Sequence, residues 1–240
     1  MGFKRLLYLC TPPGLWMLGK RILKPDAIES FSDKELVGSY SQYSEDLIVD
    51  VLLGCSLDGC YIDIGANDPE LLSNTHRFYM RGWRGINIEP EPNLFQKLSE
   101  GRPLDVNLNV GVGAEISILK FYRLEPSTLL SFDPAVARHN LRSIGAKALG
   151  EVILPVVTIT SILDEHLNNR DIDFMSIDVE GSELEVLRGN DWQRYRPRLI
   201  LIEINHRGKE IQSYLNTHGY RLIWSNSTNG IFIDEAMIKS

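Results

Sequence analysis

From Cys60 onward the chain repeats one pattern: a short, β-prone apolar run, then a polar stretch with helical spacing. Cys60 to Ile64, Gly85 to Ile88, Asp105 to Val110, Asp173 to Ile177 and Arg198 to Ile204 read as strands. His76 to Arg81, Asn93 to Glu100, Ser182 to Arg188 and Lys209 to His218 read as helices, the last two stopped by Gly189 and Gly219. The LILIEI core of the fifth strand is apolar nearly throughout, as expected of a strand covered on both faces. Such alternation predicts an α/β fold: a mostly parallel sheet, helices on both faces, right-handed crossovers. Tyr220 to Ser225 and Gly230 to Ile233 flank the turn residues Asn226, Ser227, Thr228 and Asn229, which predicts a closing antiparallel hairpin. Gly113 to about Thr160 breaks the rhythm. Ile116 to Tyr122 and Val152 to Val157 read there as strands of an insertion placed to cover a ligand.

Composition narrows the class of partner. With 24% charged and 43% hydrophobic residues the 240-residue chain is expected to fold around a buried core. A net charge of −7 and a pI near 5.3 argue against a nucleic-acid partner, which requires clustered Lys and Arg. Residues 1–25 carry Lys4, Arg5, Lys20, Arg21 and Lys24 with no acid, so the remainder is more acidic than the total. Between those basic flanks Leu6 to Leu18 is shorter than the ~20 residues a spanning helix needs, and Pro12-Pro13-Gly14 interrupts it. No small-x-small cleavage site follows. Residues 1–40 are therefore expected to be a separate segment, either packed or frayed, or peripheral at a membrane surface through Leu15 to Leu18 and the basic side chains. Residues 41–240 are expected to form the main domain. Cys10, Cys55 and Cys60 give an odd count without CxxC, which fits a reducing, cytoplasmic compartment, at most peripheral to the inner face of a membrane. His76, His139, His166, His206 and His218 show no metal-ligand spacing.

In an open parallel sheet, ligands bind beyond the carboxyl ends of the strands. The first strand ends in YIDIGANDPE, placing Asp63, Gly65, Asn67 and Asp68 at the turn. One glycine stands where a pyrophosphate cradle wants three, and acidic side chains line the turn. The second strand ends in INIEPEP, so Glu89, followed by Pro90, is positioned to accept both hydroxyls of an adenosine ribose. An adenosine ligand that takes a ribose clamp, needs no phosphate cradle and tolerates carboxylates near its other end fits S-adenosylmethionine, whose sulfonium and ammonium are cationic.

Taken in order, SQYSEDL, YIDIGANDPELLSNT, GWRGINIEPEP, NLNVGVG, DFMSIDVEGSELEVLRG and RLILIEI resemble the FkbM-type methyltransferases over about residues 41–233. The resemblance implies a class I methyltransferase, Rossmann-like, with a seven-stranded, mostly parallel sheet ending in an antiparallel hairpin. It places Asp63 and Gly65 at the methionine end of the cofactor, Glu89 at the ribose, Asn109 and Val110 near adenine, and Asp178 to Gly181 around the transferred methyl. Gln42 and Asp46, one helical turn apart, are expected to close over the cofactor. Tyr43-Ser44-Glu45 departs from the glycine and glutamine that many relatives carry inside that motif.

Methyl transfer needs alignment, exclusion of water and a base for a hydroxyl nucleophile. Asp178, Glu180, Glu203 and His206 are the candidate bases; Glu180 is equally a candidate cap for the helix that follows it. The Asp178-x-Glu180 pair can hold a divalent cation, but without a third ligand no metal site is assigned. Asn74, Thr75, Ser127 and Thr128 are further contact candidates. The expected activity is O-methylation of a sugar hydroxyl in a glycan, glycolipid or natural product, the basic amino terminus suiting a lipid-linked glycan acceptor. The alternatives are an inactive cofactor-binding module and a dinucleotide-dependent sugar oxidoreductase or epimerase.

Overall fold

A computed structural model describes residues 38–205 and 207–237. The basic segment of residues 1–25 and His206 lie outside them. The element order is α1 (Glu45–Leu52), β1 (Cys60–Ile64), α2 (His76–Arg81), β2 (Arg84–Ile88), α3 (Pro92–Gly101), β3 (Val106–Leu108), β4 (Gly111–Val112), β5 (Ser117–Glu125), α4 (Pro134–His139), β6 (Lys147–Val157), α5 (Ile159–His166), β7 (Phe174–Ile177), α6 (Glu183–Arg188), β8 (Leu199–Glu203), α7 (Gly208–Thr217), β9 (Tyr220–Ser225) and β10 (Asn229–Asp234).

Seven strands form one sheet in the order β3-β2-β1-β7-β8-β10-β9, parallel except for β10, which runs antiparallel to both neighbours. This is the parallel sheet with a closing hairpin that the sequence predicts. Period-2 alternation divides its inner strands. Ile62, Ile64, Ile86, Ile88, Ile200 and Ile202 pack against apolar residues of α5, α6 and α7 on one face. Tyr61, Phe174, Leu199 and Leu201 pack with Val49 of α1, Phe78 of α2 and Trp83 on the other. Local chemistry stops the helices where the sheet needs them to stop. Gly82 closes α2 in the left-handed region, φ 114. Glu91 caps α3, accepting the N–H groups of Asn93 and Leu94, with Pro92 in the first turn, where a missing N–H costs nothing.

The third strand is shorter than expected. Asn109 donates its side-chain amide to the carbonyls of Glu89 and Pro90, 2.8 and 3.0 Å. The chain then leaves the main sheet, and Gly111–Val112 joins β6 instead. β4, β6 and β5 make a separate three-stranded sheet in that order, so the two strands expected in the insertion pair with each other over a longer register, Ser117–Glu125 against Lys147–Val156. Among the described residues no helix is long and apolar enough to cross a membrane.

Candidate functional site

Strand order reverses between β1 and β7, and that crevice is where a doubly wound sheet takes its ligand. Gly65, at φ 81, is the point of closest approach: a Cβ there would stand 1.8 Å from the Asp178 carbonyl oxygen. Only glycine lets the β1 turn pass the end of β7. The Gly65 and Ala66 N–H groups then both donate to the Ile88 carbonyl, binding the turn to the end of β2.

Asp63, 4% exposed, directs its carboxylate inward. Thr75 Oγ1 donates to Asp63 Oδ2 at 2.5 Å and accepts from Arg102 Nη1 at 2.5 Å, and Arg102 Nη1 itself lies 3.9 Å from that oxygen. Burial raises the Asp63 pKa against the lowering pull of Arg102 and Thr75. Arg102, fully buried, also donates to Ser73 Oγ, the Pro69 carbonyl and Asn87 Oδ1. It went unread in the sequence because a lone basic residue in a loop ordinarily signals solvent.

Glu89 ends β2 with 3% exposure and a divided carboxylate: Oε2 accepts the Asn67 N–H at 2.8 Å and Oε1 the Glu91 N–H at 2.7 Å. Burial, with the neighbouring Glu91 and Asp63 charges, outweighs these donors and pushes its pKa up to about 7. Asn67 in turn donates its side-chain amide to the Ser127 carbonyl at 3.2 Å, so the insertion lies across the turn. Arg123 of β5 pairs with Glu91, and Ser131 Oγ donates to the Glu180 carbonyl at 2.9 Å. These contacts fix the insertion over the ends of β1, β2 and β7, as a cover would be fixed. A cavity of about 180 Å³ between the insertion and α3 is lined by Glu91, Leu94, Arg123 and Leu130 among others, and neither Glu89 nor Asp178 reaches it.

Pro90 and Asn109 meet through the Asn109 amide, and Val110 packs on the core beside them. Asp68 accepts the N–H groups of Glu70 and Leu71 and pairs with Lys97. Gln42 and Asp46 are not one helical turn apart, because α1 begins only at Glu45. Gln42 is exposed, and Asp46 is buried accepting from Ser39, Ser41 and the Tyr40 N–H.

The other side of the crevice is strongly acidic. Asp178 directly follows β7 and is exposed to water. Desolvation by the protein nearby, and the Glu183, Asp63 and Glu45 carboxylates, raise its pKa. Glu203, at the end of β8 and 5% exposed, accepts from the Asn205 amide at Oε1 and leaves Oε2 buried without a partner. Burial first, then the charges of Asp178, Glu180 and Glu183, push its pKa up to about 10. Glu180 is pushed up to about 9 by burial and by Asp178 and Glu183.

Glu180 is not the cap that the sequence offers as its second role. The backbone turns left-handed at Glu180 and Gly181, φ 54 and 102, and Glu183 Oε1 reaches back to the N–H groups of Val179 and Gly181. The third carboxylate near Asp178 is thus Glu183, which sequence spacing did not single out. Asn74 donates to Ser176 Oγ, 3.1 Å, beneath the crevice.

The residues at this crevice suit an S-adenosyl group. Among the described residues Glu89 has no ion-pair partner, the turn at Gly65 carries no basic side chain to offer a phosphate, and the far wall gathers the carboxyl groups of Asp178, Glu180, Glu183 and Glu203, the last with an unpartnered buried oxygen. Glu89 would hold the ribose hydroxyls and the Asn109–Val110 segment would border the base, once the Asn67–Ser127 contact opens.

Comparison with known proteins agrees with this chemistry. A family model described as the methyltransferase FkbM domain matches residues 63–222, more than half of the chain. The chain belongs to the FkbM methyltransferase family, and membership implies S-adenosylmethionine as the methyl donor. Similar solved structures include a TehB-like SAM-dependent methyltransferase from Corynebacterium glutamicum, 11% identical, covering 93% of this chain and 100% of that one with a TM-score of 0.40. A methyltransferase from Geobacter sulfurreducens is 12% identical over 94% and 97% of the two chains, TM-score 0.41. No curated protein matches the chain significantly in sequence.

Proposed function

We propose that the protein transfers a methyl group from S-adenosylmethionine to an oxygen, with a sugar hydroxyl of a glycan, glycolipid or natural product as the acceptor. The observation that carries this reading is the water-accessible Asp178 carboxylate, with its raised pKa, on the wall of the crevice at the strand-order reversal. When bound, the cofactor supplies a methyl group on a sulfonium centre open to in-line attack. Asp178 is the side chain suited to take the hydroxyl proton onto a carboxylate oxygen, because with no cation bound Glu180 and Glu203, at about 9 and 10, hold their own protons at neutral pH. Those protonated groups supply hydrogen-bond donors to neighbouring acceptor oxygens, and the bound acceptor together with the insertion excludes water from the crevice. Carboxyl groups of both protonation states side by side match a polyhydroxylated acceptor, which donates and accepts at once.

Calorimetric titration with S-adenosylhomocysteine, beside NAD, tests the cofactor half. Binding of S-adenosylhomocysteine alone is expected, weakened roughly 10- to 100-fold in Glu89→Ala by loss of charge-assisted bonds to the ribose. Transfer of labelled methyl to sugar acceptors tests the other half, and Asp178→Asn is expected to slow it about 10²- to 10⁴-fold. A folded protein that binds NAD instead would replace the reading with an oxidoreductase. Binding of S-adenosylhomocysteine without transfer to any hydroxyl acceptor would leave a binding module.

A further inference from the structure

We propose that Asp178, Glu183 and Glu203 form a binding site for one hard divalent cation, of the Mg²⁺, Mn²⁺ or Ca²⁺ kind, at the carboxyl ends of β7 and β8. One carboxylate oxygen from each lies within 4.8 Å of the other two. Opposite ligands stand roughly 4.8 Å apart on Ca²⁺ and about 4.2 Å apart on Mg²⁺, so small side-chain rotations bring these three oxygens onto a single ion. An all-oxygen, all-carboxylate set selects hard cations over zinc or copper.

Acidic clusters are common, and closeness alone assigns nothing. The second observation is Glu203 Oε2, which is buried without a hydrogen-bond partner on a side chain only 5% exposed. A buried carboxyl oxygen left unsatisfied is costly, so its retention among neighbouring carboxyl groups points to something that completes it. No ion pair among the described residues neutralises Asp178, Glu180, Glu183 or Glu203. Meanwhile the oxygen of Glu183 that accepts from Val179 and Gly181 anchors that side chain to the β7 turn, an outer hydrogen-bond shell of the kind that orients metal ligands. Asp178, the water-accessible member, leaves room for an ion's remaining ligands to be water or acceptor oxygens.

The use of the ion rests on the methyl-transfer reading; the site does not. An acceptor hydroxyl on the ion becomes more acidic.

The test is titration of Mn²⁺ into the full chain, stripped with EDTA and desalted at pH 8, followed by electron paramagnetic resonance. The same samples are titrated with S-adenosylhomocysteine and checked by circular dichroism. One saturable equivalent per chain is expected, displaced by Mg²⁺ or Ca²⁺, weakened at least 10-fold in Glu203→Gln and in Asp178→Asn, and unchanged in Glu185→Gln on the same helix. Asp178→Asn, a change at an accessible position, keeps the test valid if Glu203→Gln does not fold. Absence of saturable Mn²⁺ binding, or binding undiminished in the folded variants, overturns the site. Protein that binds Mn²⁺ but not S-adenosylhomocysteine retains the cation site and overturns the methyl-transfer reading; the reverse result overturns the cation site alone.

Discussion

Arg102 shows how much one residue can carry without any local signal. It lies in the sequence EGRPLD, directly after the last residue of α3, yet it is fully buried and ties together Thr75, Ser73, the Pro69 carbonyl and Asn87 behind the β1 turn. Its charge also compensates Asp63 across 3.9 Å. Arg102→Met removes the cation and leaves a buried carboxylate unpaired, so a loss of about 3–5 kcal/mol is expected in urea unfolding. Adding Asp63→Asn should recover part of that loss, because the two residues share one network and their effects do not add. Strict additivity would show that Arg102 acts only through packing. Asp63, Gly65 and Glu89 were readable because each lies at the carboxyl end of a recognisable strand. Glu183 was not, since its two backbone contacts depend on left-handed turns at Glu180 and Gly181 that spacing does not encode.

Among the elements, the insertion couples structure to ligand access most directly. Its first strand read correctly as β-prone, and the pairing of β5 with β6 follows from two complementary apolar runs. Its position was not legible, because that depends on single contacts between Asn67 and Ser127, Arg123 and Glu91, and Ser131 and Glu180. On the proposed function a nucleoside held by Glu89 sits beside this arrangement, because Asn67 donates its N–H to Glu89 and its side-chain amide to the Ser127 carbonyl. Hydrogen exchange is expected to slow at the amides of residues 127–131 when S-adenosylhomocysteine is added. Unchanged exchange there would mean that the insertion is a fixed wall.

For the whole molecule, the expected consequence of this carboxyl cluster is a stability that depends on pH and, through the proposed site, on cations. Asp178, Glu180 and Glu203, faced by Glu45, Asp63 and Glu183, have raised pKa values, and Glu89 is raised to about 7. A carboxyl whose folded pKa lies above its unfolded value of about 4 binds more protons when folded. The stability is therefore full below about pH 4 for these groups and is lost as pH rises through the folded values, about 7 to 10. Asp68 and Asp234, whose pKa values are lowered, act oppositely but only in more acidic solution. Tm in EDTA is expected to fall between pH 5 and about pH 9, and Mn²⁺ should flatten that slope; a Tm independent of pH in EDTA would contradict the charge arrangement. The order of strands and helices, the closing hairpin and the carboxylates at strand ends were all determined by the sequence itself, since periodicity, breakers and chain order are properties of neighbours along the chain. Which carboxylates meet was decided by tertiary structure alone. Asp178 and Glu203 approach because β7 and β8 are paired, and Glu45 is held by Asn229, 184 residues away. Charge in an interior is set by what the fold brings within a few ångströms, and a linear sequence does not contain that distance.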